Sequence, residues 1–307
     1  MNRREISKVT ALTNPLSGHG AAVAASQRAI ARLQHRGVEV IEIVGENAAD
    51  ARYLVAAAVE KGTDAVVVTG GDGVISNALQ VLAGTDVPLG IIPAGTGNDH
   101  AREFEIPTKD PEAAADVVVD GWTKTIDLGR VRSDDNGGQK WFGTVAATGF
   151  DSLVTDRANR MTWPHGRLRY YVAMFAELSQ LRLLPFRLVL DGAQEIEADL
   201  TLTAFGNTRS YGGGMQICPN ADPSDGLLDI TMVASASRTK LVRFFPTALK
   251  GTHIELDEVT TTRAKTVEVE CPGINVYADG DFVCPLPAEI SAVPAALHIL
   301  RPHAASG

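Results

Sequence analysis

Positive charge is scarce in this 307-residue sequence: 28 Lys and Arg stand against 37 Asp and Glu, a formal net charge of −9. Binding to a phosphate backbone is driven by clustered cations, and no such cluster is present, so nucleic acid is not an expected partner. Cysteine is nearly absent. Cys218, Cys271 and Cys284 are odd in number and lack C-x-x-C spacing, which argues against a disulfide framework and a cysteine zinc site. The seven histidines are scattered without an H-E-x-x-H or similar pair, so they read as packing or surface residues rather than metal ligands. Long apolar runs are missing too. The longest, residues 65–69 and 87–92, are strand-sized and far short of the ~20 residues of a bilayer-spanning helix, so no transmembrane segment is expected. The opening Met1-Asn2-Arg3-Arg4-Glu5 passes directly into a strand pattern without the apolar stretch of a secretion signal, and a cytoplasmic location is the expectation.

What is present suffices for a large core: 45% of residues are apolar and 21% charged, and the length favours two domains over one. Strand and helix alternate over the first part. Strands are expected at 9–13, 38–44, 65–69 and 87–92, and helices at 21–36, 49–61 and 75–83, with Gly37 and Gly62 at helix ends. Such alternation reads as a parallel sheet flanked by helices. After about Asp127 the pattern changes to shorter strands, at 129–132, 140–148, 186–190, 198–205, 228–233, 266–270 and 275–278, interrupted by one helical stretch near 167–181. This reads as a mainly antiparallel β domain, so the expected division is 1–125, 126–295 and a final strand and tail at 296–307, frayed from Pro302 onward.

The chemistry is concentrated between Val66 and Asp99. One strand runs into Gly70-Gly71-Asp72-Gly73 and the next into Pro93-Ala94-Gly95-Thr96-Gly97-Asn98-Asp99. Glycines at such turns let backbone N–H groups approach an anion closely, and a helix starting after the turn adds the positive end of its dipole. Asp72 could face magnesium, a ribose hydroxyl or a reacting alcohol, or simply cap the following helix; for Asn98 and Asp99 capping is the first reading. A third loop, Asn14-Pro15-Leu16-Ser17-Gly18-His19-Gly20, follows the first strand, and all three leave the carboxyl edge of the sheet, where ligands of such sheets gather.

Five segments taken together resemble the diacylglycerol kinase catalytic-domain family, which also contains sphingosine and ceramide kinases. They are Asn14-Pro15 with Ser17-Gly18, Gly70-Gly71-Asp72-Gly73, Gly95-Thr96-Gly97-Asn98-Asp99, Gly149-Phe150-Asp151 and Asp279-Gly280-Asp281. They occur in the right order across nearly the whole chain, with a spacing most similar to soluble bacterial lipid kinases. The resemblance implies an α/β nucleotide-binding domain, then a mainly antiparallel β-sandwich domain for the lipid, with the active site in the interdomain cleft. It implies ATP and Mg²⁺, with Asn14, Pro15, Leu16, Ser17, Gly18, Gly70, Gly71, Asp72, Gly73, Val74, Ile75, Ser76, Thr96, Asn98 and Asp99 forming the nucleotide site. The implied reaction is phosphorylation of a hydroxyl of diacylglycerol or a related lipid. Phosphoryl transfer to an alcohol needs positioning, charge neutralisation and a carboxylate that accepts the hydroxyl proton. By the resemblance Asp281 is that acceptor and Asp279 shares the role or handles magnesium; Asp72 is the alternative, as in some sphingosine kinases. Spacing alone would make Asp279 and Asp281 a solvated β-turn.

The stretch Pro219-Asn220-Ala221-Asp222-Pro223-Ser224-Asp225-Gly226-Leu227 resembles the family's structural magnesium segment, with Asp222, Asp225 and the Leu227 carbonyl as ligands. Without the family it is an Asx-rich turn. Three departures stand out: Val74 where Thr is usual, Asp281 where Glu is usual, and Val44 where a Thr often contacts nucleotide. A second reading is an NAD kinase or other small-alcohol kinase of the same superfamily, disfavoured by the Asn14-Pro15 entry and by Ala78 where NAD kinases commonly carry Glu. A third is a catalytically weak nucleotide- or lipid-binding regulator. For the lipid reading the expected partner is a membrane surface, met at the inner face by residues 160–171, which combine Arg160, Arg167 and Arg169 with Trp163, Tyr170 and Tyr171. Leu168, Tyr171, Val172, Phe175 and Leu178 repeat at helical spacing and are expected to face the core. The oligomeric state, a homodimer included, is open.

Overall fold

The computed structural model describes residues 2–14, 21–133, 138–164, 169, 172–173, 176–177, 181–235 and 237–303. The chain divides into two compact units, one of Met1–Leu128 with Pro294–Gly307 and one of Gly129–Val293.

The first unit holds β1 (Asn2–Arg3), β2 (Lys8–Thr13), α1 (Ala21–His35), β3 (Glu39–Ile43), α2 (Ala48–Glu60), β4 (Ala65–Gly70), α3 (Asp72–Leu82), β5 (Leu89–Pro93), α4 (Asp99–Glu103), α5 (Pro111–Asp120) and most of β6 (Trp122–Arg132). Strands β5, β4, β2 and β3 lie side by side and parallel in that order. Every residue of β4 and β5 is buried, as parallel strands covered on both faces require, whereas edge strand β3 buries none. Register places Thr13 opposite Thr69 and Gly70 opposite Pro93, so β2, β4 and β5 end level and their loops leave one edge together. Helix α2 starts at Asn47, whose Oδ1 accepts from the N–H groups of Ala49 and Asp50 at 3.0 Å. Helix α5 adds to the helices expected, although Asp110 as N-cap and Pro111 at the first helical position signal its start.

The second unit holds the end of β6, then β7 (Gln139–Phe142), β8 (Val145–Gly149), α6 (Phe150–Arg160), β9 (Leu184–Leu190), β10 (Gln194–Leu200), β11 (Leu202–Gly206), β12 (Leu228–Val233), α7 (Arg238–Ala248), β13 (Val259–Ala264), β14 (Thr266–Glu270), β15 (Asn275–Ala278), β16 (Asp281–Pro285) and the first part of β17 (Ala288–Leu300). Its strands form antiparallel sheets in the orders β10-β9-β14-β17 and β13-β12-β11-β8-β15-β16. Phe142, Phe186, Leu188, Phe205, Ile230 and Val267 pack in one buried cluster drawn from both, the core of a β-sandwich. The expected architecture, an α/β part with a parallel sheet and then an antiparallel sandwich, is the one observed.

Several expected elements are corrected. Residues 140–148 are two strands rather than one, because at Gly143-Thr144 both N–H groups turn to the Asp279 carboxylate. Residues 198–205 also split, at buried Thr201, where the chain passes from the first sheet to the second. The final strand begins at Ala288, not 296; Pro294 and the positive φ of 53° at Ala295 hide its continuity from the sequence. Helix α7 escapes detection because Pro246 sits inside it. The expected fraying does not start at Pro302, since His303 lies against Trp122 with ring centroids 4.1 Å apart and planes tilted by 49°; residues 304–307 lie outside the described residues. Val172, expected in the core, is exposed, while Leu168, Tyr171, Phe175 and Leu178 lie outside the described residues. Among the described residues no helix is long and apolar enough to cross a membrane.

Candidate active site

The loops after β4 and β5 are built against each other. The N–H of Ala94 donates to Gly70 O at 2.9 Å, and a Cβ placed on Gly95 would lie 2.4 Å from Gly71 Cα. Gly71 and Gly95 are therefore dictated by backbone-to-backbone contact, whatever ligand binds. Asn98, at φ 55°, closes the second loop on itself: its Oδ1 accepts from Gly95 N and its Nδ2 donates to Gly95 O, both at 2.9 Å. It occupies the N-cap position of α4 without a side-chain capping bond. Asp99 is buried and takes Arg102 Nη2 at 2.6 Å. Thr96 stands exposed between them.

Helix α3 starts at Asp72, three residues earlier than expected, so Asp72 is inside the first turn and is not its cap. The cap position belongs to Gly71, which supplies no side-chain hydrogen bond. A glycine at the cap position brings no side chain of its own over the positive end of the helix, an arrangement that suits an anion. At Gly73 a Cβ would meet nothing within 4 Å. Val74 and Ile75 instead fold their N–H groups back onto Gly71 O at 3.1 and 3.3 Å, and Ile75 packs in the core. The Ser76 hydroxyl is buried with no hydrogen-bond partner among the described residues. An open first turn, a glycine facing free space and an orphaned hydroxyl fit a phosphate-bearing nucleotide. Asn14 ends the β2 edge of this site, while Pro15, Leu16, Ser17 and Gly18 lie outside the described residues.

Asp72 itself is tightly held. Its Oδ1 accepts from the backbone N–H of His100 at 3.1 Å and lies 3.0 Å from His100 Nδ1. Burial alone would raise its pKa, but the hydrogen bonds and charge of His100 and the Asp99 N–H outweigh it and bring the carboxyl down to about 2. Such a group is ionised at neutral pH and a weak proton acceptor.

In the second unit the two aspartates of the Asp279-Gly280-Asp281 turn separate in role. Asp279, at φ 50°, accepts from Gly143 N and Thr144 N at 2.9 Å and from Thr144 Oγ1 at 2.6 Å. Its oxygens clamp the β7–β8 corner to the start of the β15–β16 turn. Asp281 opens β16 with its side chain 58% exposed, and its one recorded contact is Lys140 Nζ at 2.9 Å. Of the pair, Asp281 is the less heavily bonded, with one ion pair against the three donors on Asp279.

Residues 8–131 match the family described as Diacylglycerol kinase catalytic domain, and residues 144–301 match YegS C-terminal NAD kinase beta sandwich-like domain. The chain is 80% identical over 302 residues to a protein named Diacylglycerol kinase from Mycobacterium tuberculosis (strain ATCC 25618 / H37Rv), covering 98% of this chain and 97% of the relative. The chain belongs to the diacylglycerol kinase family. A more distant member of the family, named Diacylglycerol kinase, from Bacillus subtilis (strain 168), is 28% identical with 94% of each chain covered. The crystal structure of a diacylglycerol kinase from Bacillus anthracis str. Sterne shares the fold, with a TM-score of 0.73 at 22% identity over 98% of this chain and 99% of that one.

The segment that resembles the magnesium site of this kinase family is closed by protein groups. Asp222 Oδ1 accepts from Ser224 Oγ at 2.5 Å; Asp225 Oδ1 accepts from Leu227 N at 3.0 Å and its Oδ2 from Arg263 Nη2 at 2.8 Å. Arg263 also reaches Asp229 Oδ2 through Nε at 3.0 Å. Among the described residues no three His, Cys, Asp or Glu side chains gather as a metal site. Residues that the sequence did not single out therefore matter here: His100 on Asp72, Lys140 on Asp281 and Arg263 on Asp225. Of these, only His100 carried a visible signal, being next to the Asn98-Asp99 pair.

Proposed function

We propose that the protein transfers the γ-phosphate of Mg-ATP to a hydroxyl of diacylglycerol or a related lipid. The observation that carries this reading is the glycine-capped start of α3, with open space at Gly73, in a chain that aligns almost end to end, at 80% identity, with a protein named Diacylglycerol kinase. In this reading the N–H groups at the first turn of α3 and the loops at Gly70 and Gly95 hold the phosphates. The acceptor oxygen attacks the γ-phosphorus while its proton passes to Asp281; the bond to the bridging oxygen breaks and ADP leaves. Asp279 keeps the turn in shape so that Asp281 stays presented. Trp163, 75% exposed after α6, is the natural contact with a lipid surface, and Arg160 beside it is highly exposed although paired with Asp156 at 2.8 Å. His165, Gly166, Arg167 and Leu168 of the same segment lie outside the described residues. A cytoplasmic protein docking transiently at the inner membrane face fits this assignment. Magnesium enters with the nucleotide; a second, structural ion at Asp222, Asp225 and Leu227 would have to displace Arg263.

The test is transfer of labelled γ-phosphate from Mg-ATP to diacylglycerol and to a total lipid extract in detergent micelles, with Asp281→Asn in parallel. One labelled phospholipid, lost in the variant, is expected. An unlabelled extract from protein that binds ATP would replace the lipid by a soluble acceptor.

A further inference from the structure

The kinase reading leaves His100 without a task, although it is the group on which Asp72 depends. The ring is 2% exposed and sits on the short helix α4, one residue past Asp99. Two of its N–H groups converge on a single oxygen of Asp72, the backbone N at 3.1 Å and Nδ1 at 3.0 Å. An ionised carboxylate accepts only, so Nδ1 must carry its proton, and the ring is fixed in the tautomer or charge state that donates there. The other oxygen lies close against the same loop. A Cβ on Gly97 would stand 2.7 Å from Asp72 Oδ2, so the loop backbone can pass that oxygen only as glycine. Both oxygens of Asp72 are thus referenced to the β5 loop, while the residue itself belongs to α3. The side chain remains 21% exposed, so it is held but not sealed.

That geometry suits a carboxylate that must keep one orientation and one charge through a reaction cycle, and suits poorly a group that must pick up a proton and release it. Two N–H donors on one oxygen stabilise the ionised form, and protonating it would weaken those charge-assisted bonds.

We propose that His100 is a positioning residue for phosphoryl transfer: through its two donors it keeps Asp72, at the start of α3, ionised and in one orientation, which leaves proton acceptance to Asp281. The inference rests on the kinase reading for the reaction, and on the contacts within the first unit for the role. It favours Asp281 over Asp72 in the choice between the two carboxylates that the sequence left open.

The experiment is a double-mutant cycle with Asp72→Asn and His100→Phe, read as kcat and KM for Mg-ATP and for lipid, alongside direct binding of Mg-ATP to each protein. Because His100 is buried, His100→Asn is included to return one side-chain donor at near the Nδ1 position, and thermal unfolding checks that each variant folds. His100→Phe is expected to lower kcat or Mg-ATP affinity about 10- to 100-fold, the usual effect of losing a residue that orients a functional carboxylate, with KM for lipid unchanged. His100→Asn should recover most of that loss. The double variant should be no worse than Asp72→Asn alone, since His100 acts through Asp72. Additive losses, equal losses in His100→Phe and His100→Asn, or wild-type behaviour of His100→Phe would each overturn the proposal. If the wild-type protein phosphorylates no lipid, the kinase reading fails separately, and His100 is judged by Mg-ATP binding: a 10-fold weakening in His100→Phe rescued by His100→Asn keeps the positioning role, and unchanged affinity ends it.

Discussion

Asp72 and Asp281 are both aspartates beside glycine at the end of a turn, one in each unit, yet their surroundings are opposite. Asp72 is largely buried and receives a backbone and a ring N–H from His100, whereas Asp281 is exposed and meets one lysine, Lys140, whose side chain is itself mostly buried. Asp279, two residues from Asp281, is different again: three donors consume its oxygens. A carboxylate used as a proton acceptor needs an unspent oxygen and a reachable position. By that standard Asp281 is the one placed for the proposed proton acceptance, Asp279 is architectural, and Asp72 is a carboxylate held ionised in one orientation. Three aspartates that each adjoin a glycine thus differ according to what donates to them.

The sharpest way to break this comparison is to exchange the predicted phenotypes. Asp281→Asn should cut kcat by roughly 10²–10⁴, the range of general acid–base contributions, and leave thermal stability unchanged. Asp279→Ala should do the reverse in the first instance: it strands the Gly143 and Thr144 donors and should cost about 3 kcal/mol of stability by denaturant titration. A stable Asp279→Ala protein, or an active Asp281→Asn one, would reverse the assignment.

The glycines of the first unit allow a parallel contrast. Gly95→Ala pushes a Cβ to 2.4 Å from Gly71 Cα, a backbone collision that only loop displacement relieves. It should cost about 1–3 kcal/mol and weaken nucleotide binding with it. Gly73→Ala places its Cβ in open space inside a helical turn, so stability should hold or rise by about 0.5–1 kcal/mol while Mg-ATP affinity falls. Equal behaviour of the two variants in unfolding and in nucleotide binding would show that Gly73 does not face the ligand.

Most of the first unit was legible because its strands are continuous apolar runs and its helices end at glycines. Strands 228–233, 266–270 and 275–278 of the second unit were legible to the residue for a similar reason, being bounded by clear turns. The misses share a cause that local pattern does not carry. The break at Gly143-Thr144 is made by a carboxylate more than 130 residues away. The split at Thr201 follows from the chain changing sheets, and Pro246 inside α7 argues against a helix on local pattern alone. The site behaves likewise: motif order pointed to Asp72, Asp279 and Asp281, but their division of labour depends on His100, Thr144 and Lys140, which come from other elements.

The pH dependence of stability separates Asp72 from the exposed aspartate. Its folded pKa, about 2, lies below the ordinary 3.8, so its ionised form stabilises the fold. That contribution, about 2 kcal/mol by linkage, is complete above the unfolded value and is lost as pH falls from about 5 toward 2. Unfolding titrations between pH 5 and 2 should therefore steepen in the wild type relative to Asp72→Asn. Parallel curves would remove the special status of Asp72.

The smallest effect expected is at the Asp222–Leu227 turn. Arg263 already spans Asp225 and Asp229, and burial pushes Asp229 up from the usual carboxylate range despite that cation. A guanidinium in this position does electrostatically what a bound ion would do, so magnesium should add little to the thermal stability of the wild type, and a chelator should remove little. Arg263→Met frees Asp225 Oδ2 and leaves Asp229 unpaired, which should cost about 1–3 kcal/mol in the absence of metal. If the turn can hold magnesium, adding the ion should restore part of that loss in the variant and nothing in the parent. Equal responses of variant and parent to magnesium would mean that Arg263 does not guard the turn. A large response of the parent would mean that the ion displaces the arginine. Either result would bring this acidic turn closer in character to Asp281, whose carboxylate is available, than to Asp72, whose carboxylate is already spoken for.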